Sequence, residues 1–138
     1  MKWTPPPDMD KECIALVSVM QELNIRTVGS CSGHGKKPMQ VWMAAENLIS
    51  RKMAILTRAV GYGYTENPEF AKLPREWRLY IYQFDAYYPS PVCLMLEGPA
   101  RLAAGDELAA RIGAVMQDTG FAETVRKWLQ SQESGGGA

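Results

Sequence analysis

The chain has 138 residues, 46% hydrophobic and 22% charged, with 15 basic side chains against 15 acidic ones. A compact fold of this length buries roughly two thirds of the surface its unfolded chain would expose, so it needs no disulfide or structural metal, and the composition excludes a disordered, collagen-like or disulfide-scaffold chain. Even the clearest apolar runs, Cys13 to Met20 and Val92 to Leu96, fall far below the roughly 20 residues of a membrane span, and Met1 to Pro5 has no signal-peptide core; a cytoplasmic protein with reduced thiols and no membrane partner is expected.

Pro5-Pro6-Pro7 is an extended lead-in, after which Asp8 or Asp10 can cap a first helix by accepting its free N–H groups. Met9, Cys13, Leu16, Val17, Met20 and Leu23 recur at spacings of three and four, a stripe that must face a core, so Cys13 reads as packing. Asn24 closes that helix. Ile25 to Ser30 is β-branched enough for a strand and runs directly into Cys31-Ser32-Gly33-His34-Gly35. Met39 to Met43 alternates as a second strand, so the motif joins two strands instead of opening a helix, which excludes the usual P-loop.

A second helix is predicted from about Ala45 to Val60, with Leu48, Ile49, Met53, Leu56 and Val60 buried and Gly61 as its stop. Gly61 to Pro74 is a long connection of the kind that lines a site. Glu76 to Phe84 and Val92 to Leu96 are the third and fourth strands, joined by a turn from Asp85 to Pro91, with Cys93 in the core. A helix starting at Gly105-Asp106 carries Leu108, Ala109, Ile112, Val115 and Met116 as its apolar stripe and stops Schellman-fashion at Gly120-Phe121; a last short helix aligns Phe121, Val125 and Leu129. Residues 1–133 therefore form a single α+β domain, a four-stranded mixed sheet with helices packed mainly on one face, and residues 134–138 a frayed tail.

Ser30 to Gly35 gathers a thiol, two hydroxyls, the only histidine and two glycines at one bend. A plain turn uses the same residues, the glycines for left-handed backbone and the serines for local N–H groups. An anion cradle is a second reading: N–H groups around Gly33 and Gly35 face a phosphate or carboxylate, Ser30 and Ser32 line it, and Lys36 and Lys37 add charge. From Asn24 to Gly63 six basic residues stand against one acid, Glu46, giving a local +5 in a neutral chain and adding Arg51 to the ligand-binding set. In a third reading Cys31 is a nucleophile or redox thiol and His34 its base, the catalytic pair if the protein is an enzyme. Metal binding through Cys31 and His34 needs further ligands; Cys13 and Cys93 lie in apolar stripes and there is no Cys-x-x-Cys, so no metal is expected. Trp42, Tyr62, Tyr64, Tyr80, Tyr82, Tyr87 and Tyr88 offer surfaces on which RNA bases stack, although a pI near 6.6 leaves room only for a local patch.

Ser30-Cys31-Ser32-Gly33 resembles the Ser-Cys-Ser-Gly-Arg segment at the end of the first strand of the tRNA wybutosine-synthesising methyltransferase family, with His34 in place of the arginine. The order of a capped helix before the motif, then strand, helix, two strands and a further helix, is similar as well. That resemblance implies a mixed α/β fold, S-adenosylmethionine as methyl donor and a modified guanosine in tRNA as acceptor. The longer segment Ser30 to Pro38, followed by an apolar strand containing Trp42, resembles small bacterial and phage proteins with a Ser-Cys-x-Gly-His-Gly motif, a group that brings no activity with it.

The expectation is a phosphate-bearing small molecule, nucleotide or RNA bound at the Ser30–Lys37 loop, with group transfer as the accompanying chemistry. The alternative is a noncatalytic interaction protein or homodimer that uses Tyr62, Tyr64, Tyr87 and Tyr88 as a contact surface.

Overall fold

A computed structural model describes residues 2–61, 76–83 and 92–135. Their order is α1 (Lys11–Glu22), β1 (Thr27–Cys31), a single turn (Gly33–Gly35), β2 (Gln40–Ala44), α2 (Arg51–Val60), β3 (Arg78–Gln83), β4 (Val92–Glu97), α3 (Ala104–Met116) and α4 (Thr119–Gly135). The class is α+β, as expected. The strands stand in the order β1-β2-β4-β3 and every neighbouring pair is antiparallel.

That all-antiparallel ladder corrects the mixed sheet read from the sequence. The connection through α2 does carry the chain to a strand parallel to β2, but it skips one position, and β4 returns into the gap between β2 and β3. The two parallel strands therefore never share a hydrogen bond.

Alternation along the strands puts Val41 and Met43 of β2 beside Leu96 and Leu94 of β4 on one face. There they merge with Cys13, Leu16, Val17 and Met20 of α1, Met53 and Leu56 of α2, and Leu108, Ile112 and Val115 of α3 into one core. Helices cover this face, with Phe121 of α4 packed against its rim. Where α3 crosses α1 the backbones nearly touch: a Cβ on Gly105 would lie 2.5 Å from the Glu12 carbonyl oxygen, so only glycine permits this approach. The crossing fixes the first turn of α1 against the body of the molecule.

Three boundaries depart from the sequence reading. α2 begins at Arg51, not near Ala45, because the Ser50 hydroxyl accepts the Met53 N–H at 3.4 Å and Asn47 takes a left-handed φ of 50°. Leu48 and Ile49 then precede the helix and are exposed, not buried on its inner side. Gly120 is no helix stop either; α3 ends at Met116 and Gly120 sits in the first turn of α4, which Asp118 caps by accepting the Phe121 N–H at 3.0 Å. α4 also runs on to Gly135, into the segment read as a tail. The expected Gly61–Pro74 connection beyond Gly61 itself and the Asp85–Pro91 turn lie outside the described residues; Gly61 is the expected stop, left-handed at φ 92°.

Candidate functional site

β1 is an edge strand, and Cys31 is its last residue, opposite Gln40 at the start of β2. Reversing the chain in so few residues takes three successive left-handed positions, Gly33, His34 and Gly35, at φ 73°, 55° and 75°. Glycine adopts this backbone freely; an L-residue such as His34 pays about 1 kcal/mol for it. The turn is closed by the Gly33 carbonyl, which accepts the N–H groups of Lys36 at 3.0 Å and Lys37 at 3.1 Å.

Asp10 reaches this turn from the other end of α1. It stands at the N-cap position, but its carboxylate makes no capping bond; Oδ2 instead accepts the Ser32 N–H at 2.9 Å, across 22 residues of chain. That bond, with the Ser32 side chain as a second partner, holds the Asp10 carboxyl below the ordinary aspartate value. Ser32 is the one fully buried polar side chain among the described residues. Its Oγ accepts the His34 N–H at 3.1 Å and lies 3.5 Å from His34 Nδ1. Ser32 thus ties Asp10 to His34, and one donor atom each of Asp10, Cys31 and His34 lie within 4.8 Å of one another.

The sequence-predicted residues are distributed unevenly around this cluster. Cys31, half-buried, and His34, exposed, are brought together, and Lys36 and Lys37, both exposed, are the residues that follow the turn. Ser32 is scaffold, its hydroxyl committed to the turn, and Gly33 and Gly35 take the left-handed conformation expected of them. The N–H groups are less free than a cradle requires: those of Ser32, His34, Lys36 and Lys37 are bonded to Asp10, Ser32 Oγ and the Gly33 carbonyl. Ser30 turns its hydroxyl to the Cys13 thiol, whose pKa burial pushes up to about 11. Arg51 is at the wrong end of the sheet. Its neighbour Lys52 bonds the Asn24 carbonyl just before β1, at 2.6 Å, whereas Lys36 follows the far end of that strand, about 16 Å away for five residues.

The remaining basic residues of the segment are occupied elsewhere. Arg26 pairs with Glu46 at 3.8 Å, and the Arg58 guanidinium lies over the Phe121 ring, 5.0 Å from its centroid. The local +5 is therefore not one patch.

Two features were missed in the sequence. Asp10 reads as a helix cap, and nothing in its spacing from Cys31 signals contact. The second is a polar row in register across the sheet, Cys31, Gln40, Glu97 and Arg78. Along it Gln40 Nε2 donates to Glu97 Oε2 at 3.0 Å and Arg78 donates to Glu97 Oε1 at 2.5 Å. These two partners hold the Glu97 carboxyl below the ordinary glutamate value. Single polar residues at three strand ends, Gln40, Arg78 and Glu97, are the trace of this row in the sequence.

Fold and site together define an α+β chain whose polar centre joins the start of one helix to a left-handed turn at a sheet edge. No helix among the described residues is long and apolar enough to cross a membrane. Comparison with protein-family models, with curated proteins and with solved structures gives no match.

Proposed function

We propose that the turn from Ser30 to Lys37 binds a phosphate-bearing small molecule, of which a nucleotide is the simplest example. The observation that carries this reading is the state of Lys36 and Lys37. Both are exposed, neither is in an ion pair among the described residues, and they follow the exposed His34 by two and three residues on a backbone locked by its own hydrogen bonds. Two ammonium groups and an imidazole on a fixed turn form a site for a multiply charged anion with little ordering cost on binding. With most of the turn's N–H groups engaged, side chains supply the contacts that a backbone cradle would otherwise make. Group transfer onto the bound ligand is the accompanying reaction class, and Cys31 and His34 are the side chains that face it.

Titration calorimetry with pyrophosphate, ATP, S-adenosylmethionine and a short single-stranded RNA tests the reading on wild type and on a Lys36→Ala/Lys37→Ala variant. A phosphate-bearing probe should bind wild type at least about tenfold more tightly than the variant. Binding by none of the four, or equal binding by both proteins, overturns it. The S-adenosylmethionine arm bears on the methyl-transfer form suggested by Ser30 to Gly33, and the RNA arm on a nucleic-acid ligand.

A second reading, contact with another protein or a second copy, is favoured by Leu48 and Ile49, adjacent side chains that are 51% and 63% exposed. Four tyrosines expected to form such a surface, Tyr62, Tyr64, Tyr87 and Tyr88, lie outside the described residues. Sedimentation of wild type and a Leu48→Asp/Ile49→Asp variant separates the two: self-association through this surface gives a concentration-dependent dimer that the variant loses, and a monomer at all concentrations ends the homodimer form.

A further inference from the structure

We propose that Asp10, Cys31 and His34 are the protein ligands of a divalent transition-metal site, with zinc the ion their chemistry fits best. The proposal stands on its own observations and does not depend on the anion reading. A carboxylate oxygen, a thiol sulfur and an imidazole nitrogen lie within 4.8 Å of one another. Zinc bonds of about 2.0–2.3 Å in a tetrahedral arrangement place donors roughly 3.3–3.8 Å apart, so the three atoms need to close by at most about 1–1.5 Å. Rotation of the exposed His34 side chain and the half-buried Asp10 and Cys31 side chains is enough for that.

The donor set selects the ion. Calcium and magnesium take oxygen ligands, whereas one thiolate, one imidazole and one carboxylate suit a borderline ion such as zinc or cobalt. On binding, the Cys31 thiol gives its proton to solvent, and the resulting thiolate with the Asp10 carboxylate balances the ion's two positive charges. Three protein ligands leave one position of a tetrahedral ion open to water or to an incoming anion.

Two further features argue that the cluster is built. The first is Ser32, which supplies the outer contacts that metal ligands require. Its N–H holds the Asp10 carboxylate, and its Oγ holds the His34 backbone and lies 3.5 Å from ring Nδ1. The second is the choice of histidine at a left-handed position. Asparagine or glycine would make the same turn at lower cost, and the strained backbone sets the imidazole beside two other ligand atoms. Because His34 is exposed, the ion can enter from solvent.

The test uses the full chain, freed of metal with chelator under reducing conditions and titrated with Co²⁺ alone, then with Zn²⁺ against a chromophoric chelator. The expected results are one ion per chain, the strong visible bands of four-coordinate cobalt and a thiolate-to-cobalt charge-transfer band. Cys31→Ser, a near-isosteric change, should abolish the charge-transfer band, and His34→Gln should weaken zinc binding by about tenfold or more. Ser32→Ala, a positioning change, should lower affinity while keeping the cobalt spectrum. No stoichiometric ion, or a wild-type cobalt spectrum without thiolate charge transfer, overturns the proposal, whatever the variants do. An unchanged spectrum in folded Cys31→Ser overturns it too, since the ion would then sit elsewhere. No phosphate probe is present, so failure of the anion reading leaves this outcome unchanged.

Discussion

Cys13, Cys31 and Cys93 share a side chain and differ in surroundings. Cys13 and Cys93 are buried, and burial raises both thiols, Cys13 to about 11. At pH 8 a thiol with that pKa is thiolate to about one part in a thousand, and the core also blocks the reagent. Iodoacetamide should therefore modify Cys31 alone in the native protein and all three thiols after denaturation, as peptide mass spectrometry will show. Labelling of Cys13 at the Cys31 rate would contradict the described packing. Ser32 is the second residue-scale case. Ser32→Ala removes the acceptor of the His34 N–H inside a buried site and should cost about 1–2 kcal/mol in chemical unfolding. The sequence showed that Cys31 and His34 belong together because they are neighbours at a bend. It could not show Asp10, whose partner lies 22 residues away and whose cap-like position offered a sufficient local explanation.

Among the elements, the helix ends and strand register were legible to different degrees. Apolar spacing located α1, and Gly61 located the end of α2, because each signal is local. The start of α2 was misplaced because Leu48 and Ile49 extend the apolar period by one more turn, and only the bonds between Ser50, Asn47 and Met53 show where the helix begins. Ser50→Ala should cost about 1 kcal/mol, with the loss confined to the first turn of α2 in amide exchange. Gly105→Ala should cost more, about 1–3 kcal/mol, since its Cβ would meet the Glu12 carbonyl and push α1 from α3. Thermal unfolding measures the first effect of that variant. Its second effect is that Asp10, two residues from Glu12, is drawn away from Ser32, so the same variant should also lose zinc affinity.

At the scale of the whole molecule, strand number and helix placement among the described residues followed from the pattern of apolar runs, but strand order did not. No local feature says that β4 enters between β2 and β3, because that choice is made by helices burying a common face. The polar row running from Cys31 to Arg78 depends on this order, and Glu97 is its hub. With its folded pKa held below the unfolded value near 4.5, Glu97 adds stability that is fully present above that value and is lost as pH falls through the lower folded one. Melting curves from about pH 7 to about pH 3 should place Glu97→Gln below wild type by about 0.5–1 kcal/mol at neutral pH, with the gap closing in acid. A gap independent of pH would mean that shape, not charge, explains the loss.

The reach of Asp10 across α1 has a mechanical corollary. An occupant gripped at once by residues 10, 31 and 34 would act as a removable staple, closing a ring of chain that contains the whole first helix and the first strand. Saturation at a hundred times the dissociation constant would raise the unfolding free energy by about 2.7 kcal/mol. Melting temperature would then report how full the staple is, and the amino-terminal third of the molecule would loosen first when it is drawn.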